Sequence, residues 1–83
     1  MFEVRLIVKP RPGVRDPQGE AVGEALRGIG YDTVEVHGVG RFLHFDIDAS
    51  SEEEARSLAD DMCRRLLVNP NLETYEIALS ERA

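Results

Sequence analysis

The side chains of this 83-residue chain that could do chemistry are few and scattered. They are His37 and His44, a single Cys63, the carboxylates Glu52, Glu53, Glu54, Asp60 and Asp61, and a basic stretch of Arg5, Lys9, Arg11 and Arg15. Two imidazoles could meet across a hairpin, but a zinc site wants at least three protein ligands and no third is indicated. Cys63 falls on an apolar helical face with no neighbouring feature to lower its pKa, so it reads as a structural thiol. The acidic run belongs to a helix start and its outer face, where carboxylates suit the positive end of the helix dipole. A magnesium site there is the lesser reading. The sequence has no GxGxxG, GxxxxGK[ST] or HExxH motif and no nucleophile elbow. Gly38-Val39-Gly40 is too short for a phosphate loop and reads as a hairpin turn needing positive φ.

The basic stretch runs against the balance of the chain. Residues 5–15 contain no acid, whereas 10 Lys and Arg against 16 Asp and Glu leave a net charge of −6. Prolines at 10 and 12 remove N–H donors, and Asp16 already stands at a helix start, so a phosphate cradle fits poorly. A docking patch for an acidic protein surface fits better.

The elements that must position these residues follow from periodicity. Phe2, Val4, Leu6 and Val8 alternate with Glu3, Arg5, Ile7 and Lys9, which predicts a strand with one buried face. Pro10-Arg11-Pro12-Gly13 ends it. Asp16-Pro17 predicts a helix start, with the Asp carboxylate as N-cap and proline in the first turn. Val22, Ala25, Leu26 and Ile29 form its apolar stripe, and Gly30 is its C′ residue. Close approach of a neighbouring backbone would explain Gly19 and Gly23. Val34 and Val36, then Leu43, Phe45 and Ile47, predict a β-hairpin about the glycine pair. Ser51 to Glu54 has capping-box spacing, followed by the stripe Ala55, Leu58, Ala59, Met62, Cys63, Leu66 and Leu67 as far as Asn69-Pro70. Tyr75, Ile77 and Leu79 alternate through a last strand.

That order predicts an α+β, ferredoxin-like βαββαβ two-layer sandwich. Two right-handed crossovers place both helices on one face of a four-stranded antiparallel sheet. A single domain over residues 1–83 is expected, since this length leaves no room for a second core. The sheet's open face and edges point to a homodimer or higher assembly. The acidic balance disfavours nucleic acid, and no apolar run approaches the ~20 residues of a membrane helix. One cysteine fits a reducing compartment, and the alternating N-terminus does not read as a signal peptide, so a cytoplasmic location is expected.

The run Lys9-Pro10-Arg11-Pro12-Gly13-Val14-Arg15-Asp16-Pro17-Gln18-Gly19-Glu20-Ala21-Val22 closely resembles the small PurS-type subunit of bacterial and archaeal phosphoribosylformylglycinamidine synthase. That family has an Asp-Pro-x-Gly helix start after its first loop. Further along, Gly30-Tyr31, Val39-Gly40-Arg41, Leu66-Leu67-Val68-Asn69-Pro70 and Leu72-Glu73-Thr74-Tyr75 match its signals in order. Departures are His37, where arginine is common, and an additional glycine at Gly38.

The resemblance implies a non-catalytic subunit of a carbon–nitrogen ligase in de novo purine synthesis. The complex amidates formylglycinamide ribonucleotide with glutamine as donor. ATP and magnesium are expected on a synthetase subunit, with none bound by this chain. A separate glutaminase subunit holds a Cys-His-Glu triad, and the small homodimer helps to join the two. Arg11, Arg15, Asp16, Pro17, Gln18, Gly19 and Arg41 are the candidate interface residues.

Other ferredoxin-like functions fit less well. An acylphosphatase-like enzyme needs a glycine-rich anion loop and an Asn on the second strand, where this chain offers Thr33, Glu35 and His37. An RNA-recognition domain needs exposed aromatics, and only Phe42 is available. The principal alternative is a small-molecule-binding regulatory module with Gly13 in its ligand loop.

Overall fold

The computed structural model describes residues 1–82. The alternating residues Phe2–Pro10 form β1, Pro17–Gly28 form helix α1, and Arg41–Ile47 form β2. Glu52–Met62 form α2, which runs into a π-helical turn at Cys63–Leu67, and Glu73–Glu81 form β3. The sheet order is β2-β1-β3, with β1 antiparallel to both neighbours. Val4 lies opposite Phe45 and Leu79, and Leu6 opposite Leu43 and Ile77. Those side chains share the inner face.

The core lies between this face and α2. Val4, Leu6 and Val8 are fully buried and pack with Ala59 and Cys63, and Ala55, four residues before Ala59 on the same helical stripe, is buried as well. Small residues on that stripe let the helix approach the sheet closely. Ser51 Oγ accepts from the Glu54 N–H at 3.1 Å, as the capping spacing predicts. The Glu54 carboxylate returns to the N–H and hydroxyl of Ser50 instead of the cap residue, shifting the box by one position. After the π-helical turn, Val68 N–H closes on the Cys63 carbonyl at 3.0 Å and the chain turns into β3.

Two expectations need correction. Among the described residues the sheet has three strands, giving βαβαβ where four strands and βαββαβ were expected. The missing strand is Thr33–His37: Thr33 stands in a turn, and Val34–His37 pair with no strand. Only α2 lies on the sheet, because α1 contributes nothing to either core cluster. The reason lies at the glycine pair. A tight hairpin turn requires positive φ, and among the described residues only Gly13 (φ +83°) and Gly30 (φ +102°) adopt it. Gly38-Val39-Gly40 therefore runs on without reversing, and Thr33–His37 departs from β2 as an arm alongside α1.

The molecule is consequently elongated, with extents of 51 × 28 × 15 Å and a radius of gyration of 16.3 Å. A compact chain of this length has a radius of about 12 Å. The apolar stripe of α1 remains open, with Val22 42% and Ile29 72% exposed.

A candidate partner-docking corner

The loop after β1, the first turn of α1 and the glycine hinge before β2 meet at one corner. Asp16 holds it together. It stands at the N-cap of α1, but its side chain makes no cap hydrogen bond. Instead, Oδ2 accepts the Val39 N–H at 2.9 Å, tying the helix start to the hinge. The expected role of Asp16 as a capping carboxylate is thus replaced by a clip across 23 residues. Pro17 occupies the first turn, as its missing N–H permits.

Gly19 is buried beneath that clip. A Cβ there would stand 2.5 Å from Asp16 Oδ2, and one at Gly23 would stand 3.3 Å from the Arg27 guanidinium. Side chains of α1's own neighbourhood, rather than another backbone, account for these two glycines. Gly40 is the position where a backbone does approach. A Cβ there would lie 2.2 Å from the Val8 carbonyl oxygen.

The basic residues predicted for docking brace the fold. Arg11 donates through Nε to the Pro70 carbonyl, and through its N–H to that of Leu72, both at 2.8 Å. Arg41 donates to the Leu67 carbonyl at 2.9 Å and to Glu73 at 2.8 Å. The two arginines hold the turn between α2 and β3 from opposite ends. Glu73 also accepts the Asn69 N–H, which with Arg41 lowers its pKa. Arg15 pairs with Glu20 at 3.2 Å and is three-quarters exposed. Gln18 is exposed on the outer side of the corner.

Two open clefts flank the Asp16 clip. One, of about 340 Å³, runs between α1 and the arm, with Arg15, Glu20, Arg27, Glu35 and His37 on its walls. The other, of about 250 Å³, lies between Gln18, Val39, Asn69 and Leu72. Acids and bases alternate around the first cleft, an arrangement suited to polar protein contact rather than to concentrating one charge.

The remaining candidates are dispersed. His37 lines the arm cleft, whereas His44 Nε2 lies 2.8 Å from Glu3 Oε2 on the outer sheet face, so the imidazoles do not converge. No group of three or more His, Cys, Asp or Glu is arranged to hold a metal among the described residues. Cys63 is buried, and burial pushes its thiol pKa up. Asp60 accepts the Tyr75 hydroxyl and pairs with Arg64, so its pKa is lowered.

Sequence reasoning missed Glu3. This carboxylate receives Arg82, His44 and Arg5, and the three donors bring its pKa down to about 2. It also accepts from the Ser80 hydroxyl at 3.3 Å, so it links β1 to β2 through His44 and to β3 through Ser80 on the face away from α2. Its only sequence signal was a polar position in an alternating strand, which any solvated glutamate would give.

A family model for PurS, described as phosphoribosylformylglycinamidine (FGAM) synthase, matches residues 3–81. The phosphoribosylformylglycinamidine synthase subunit PurS of Archaeoglobus fulgidus is 38% identical over 74 residues, covering 89% of this chain and 92% of that protein. Among solved structures, Bacillus subtilis PurS superimposes with a TM-score of 0.88 at 32% identity, over 98% of this chain and all of that one. A match of that extent takes in α1 and the arm as well as the sheet. A chain of PurLQS from Thermotoga maritima matches with a TM-score of 0.82 at 32% identity, covering 96% of this chain and 99% of that one.

Proposed function

This chain belongs to the PurS family of FGAM synthase subunits, and from that premise we propose that it is the non-catalytic assembly subunit of the synthase. It works as a homodimer in the cytoplasm and joins a synthetase subunit to a glutaminase subunit. ATP, magnesium and formylglycinamide ribonucleotide bind the synthetase, glutamine binds the glutaminase, and this chain binds no cofactor. The complex transfers the amide nitrogen of glutamine to the ribonucleotide in purine biosynthesis.

The observation that carries this reading is the near full-length likeness to a chain of PurLQS from Thermotoga maritima. The geometry supports it in kind. Arg11, Arg41 and Glu73 serve the shape of the molecule, while α1 offers an uncovered apolar face. Within the corner, Arg15, Pro17 and Gln18 are exposed and carry the contact to a larger subunit. Asp16 and Gly19 set their position, and Arg11 and Arg41 hold the turn beside them.

The test is co-elution. The chain is mixed with the synthetase and glutaminase subunits in the presence of glutamine and ATP, and the mixture is run with light scattering. A single species containing all three supports the reading. Synthetase and glutaminase that associate equally well without the chain, leaving it in a separate peak, would overturn it.

A further inference from the structure

Strand β3 is an edge that the fold leaves unguarded. It pairs with β1 without a bulge from Phe2 opposite Glu81 to Pro10 opposite Glu73, and its other edge pairs with no strand among the described residues. Edge strands are ordinarily blunted by a lysine, a proline, a bulge or a covering loop. Glu73–Glu81 contains neither lysine nor proline. Its nine residues leave a row of backbone N–H and C=O groups about 30 Å long open to a further strand.

Beside this edge runs a trough. Tyr75, Ile77 and Leu79 lie opposite Val8, Leu6 and Val4 on the inner face, yet they are only half-buried. Three open clefts follow one another along the boundary between α2 and β3. The first, of about 220 Å³, holds Leu79 between Ser51, Glu52 and Glu81. The second, of about 520 Å³, holds Ile77 beside Glu53, Ser57 and Asp60. The third, of about 220 Å³, lies between Tyr75, Cys63 and Val68. The clefts thus follow every second residue of β3, the spacing at which alternate side chains of an added strand turn inward.

The walls specify those side chains. Glu52, Glu53 and Glu81 form no ion pair among the described residues, and Arg56 is the one base lining the first two clefts. The third cleft is lined by Val68, Pro70 and Tyr75, and its two arginines are already engaged, Arg11 by the Pro70 carbonyl and Arg64 by Asp60.

We infer that the free edge of β3 and its trough take up an extended segment of one of the larger subunits as an added strand, cationic where it passes Leu79 and Ile77 and apolar where it passes Tyr75. This rests on the assembly role proposed above and gives it a surface and an occupant of stated chemistry. Main-chain bonds along the edge supply the affinity, and the clefts for alternate side chains supply the specificity. A second copy fits poorly. Antiparallel pairing of β3 with itself over its full length sets Glu73 opposite Glu81 at both ends, and like charges opposed across strands are destabilising.

The test is hydrogen exchange, read by mass spectrometry on the chain alone and on its assembly with the synthetase and glutaminase subunits. In the assembly, peptides from 73–81 should exchange at least tenfold more slowly than in the chain alone, with peptides from β1 little changed. Glu53→Lys and Ser57→Trp, both at exposed positions of α2, should each weaken binding to the larger subunits at least tenfold. Far-ultraviolet circular dichroism and the oligomeric state of the chain alone should stay as they are. An assembly that forms with exchange in 73–81 unchanged overturns the docking and leaves the assembly role standing. Slowing of the same peptides in the chain alone as its concentration rises would assign the edge to a second copy, and overturn it as well. Failure of the three subunits to associate overturns both readings.

Discussion

Asp16 carries more of the corner than its place in the sequence suggests. Its bond to Val39 is charge-assisted and half-buried, a class of bond that contributes about 1.5–3 kcal/mol. The clip joins only α1 to the hinge, so its loss should appear as local opening. Asp16→Ala is expected to speed exchange of the Val39 amide by about tenfold or more, with little change in the amides of β1. Gly19→Ala should do the same, because the added Cβ lies 2.5 Å from the accepting oxygen. Unchanged Val39 exchange in both variants would refute the clip. Glu3 gives a second prediction. Its folded pKa of about 2 lies below the ordinary 4.5, so its contribution to stability is complete above pH 4.5 and fades as pH falls towards 2. A carboxyl chemical-shift titration should place its midpoint near 2, and a midpoint near 4.5 would remove it as the hub. Neither role was legible beforehand. Asp before Pro is the usual mark of a cap, and only coordinates reveal that the carboxylate points to residue 39.

At the scale of elements, β1, α2 and β3 were legible because burial on one side imposes a period, and the period survives in the residue types. Ala55, Ala59 and Cys63 announce the buried stripe of α2 directly. Other residues of the expected apolar stripe, Leu58 and Met62 of α2 and Leu66 in the π-helical turn, are exposed in the single chain, at 83% for Leu66. Periodicity marks a face as apolar without saying which chain covers it. The hairpin failed for a related reason. Glycine permits a reversal without requiring one, and Val34 and Val36 alternate equally well in an arm and in a paired strand. Gly40 has a different purpose, which predicts a large effect. Gly40→Ala forces a Cβ against the β1 backbone and should cost about 1–3 kcal/mol, as overpacking does. Thermal melting should detect it as a fall of several degrees for a domain this small. Ser51→Ala should cost about 1 kcal/mol through the lost cap, and a Gly40→Ala variant that melts with the unsubstituted chain would contradict the steric role assigned to Gly40.

At the scale of the whole molecule, the shape argues for a part of an assembly. A chain of this mass that leaves an apolar helix stripe open presents surface at the expense of compactness. Family membership places that surface in FGAM synthase. If the chain joins glutaminase to synthetase, then its loss should uncouple the two chemistries without destroying either. The direct measurement is formation of the amidine by purified synthetase and glutaminase subunits with ATP and magnesium, with and without this chain, using glutamine or ammonium chloride as nitrogen donor. The account predicts that glutamine-dependent turnover requires the chain and rises with its concentration to a fixed stoichiometry, while ammonia-dependent turnover by the synthetase persists in its absence. Glutamine-dependent turnover at full rate without the chain would contradict it.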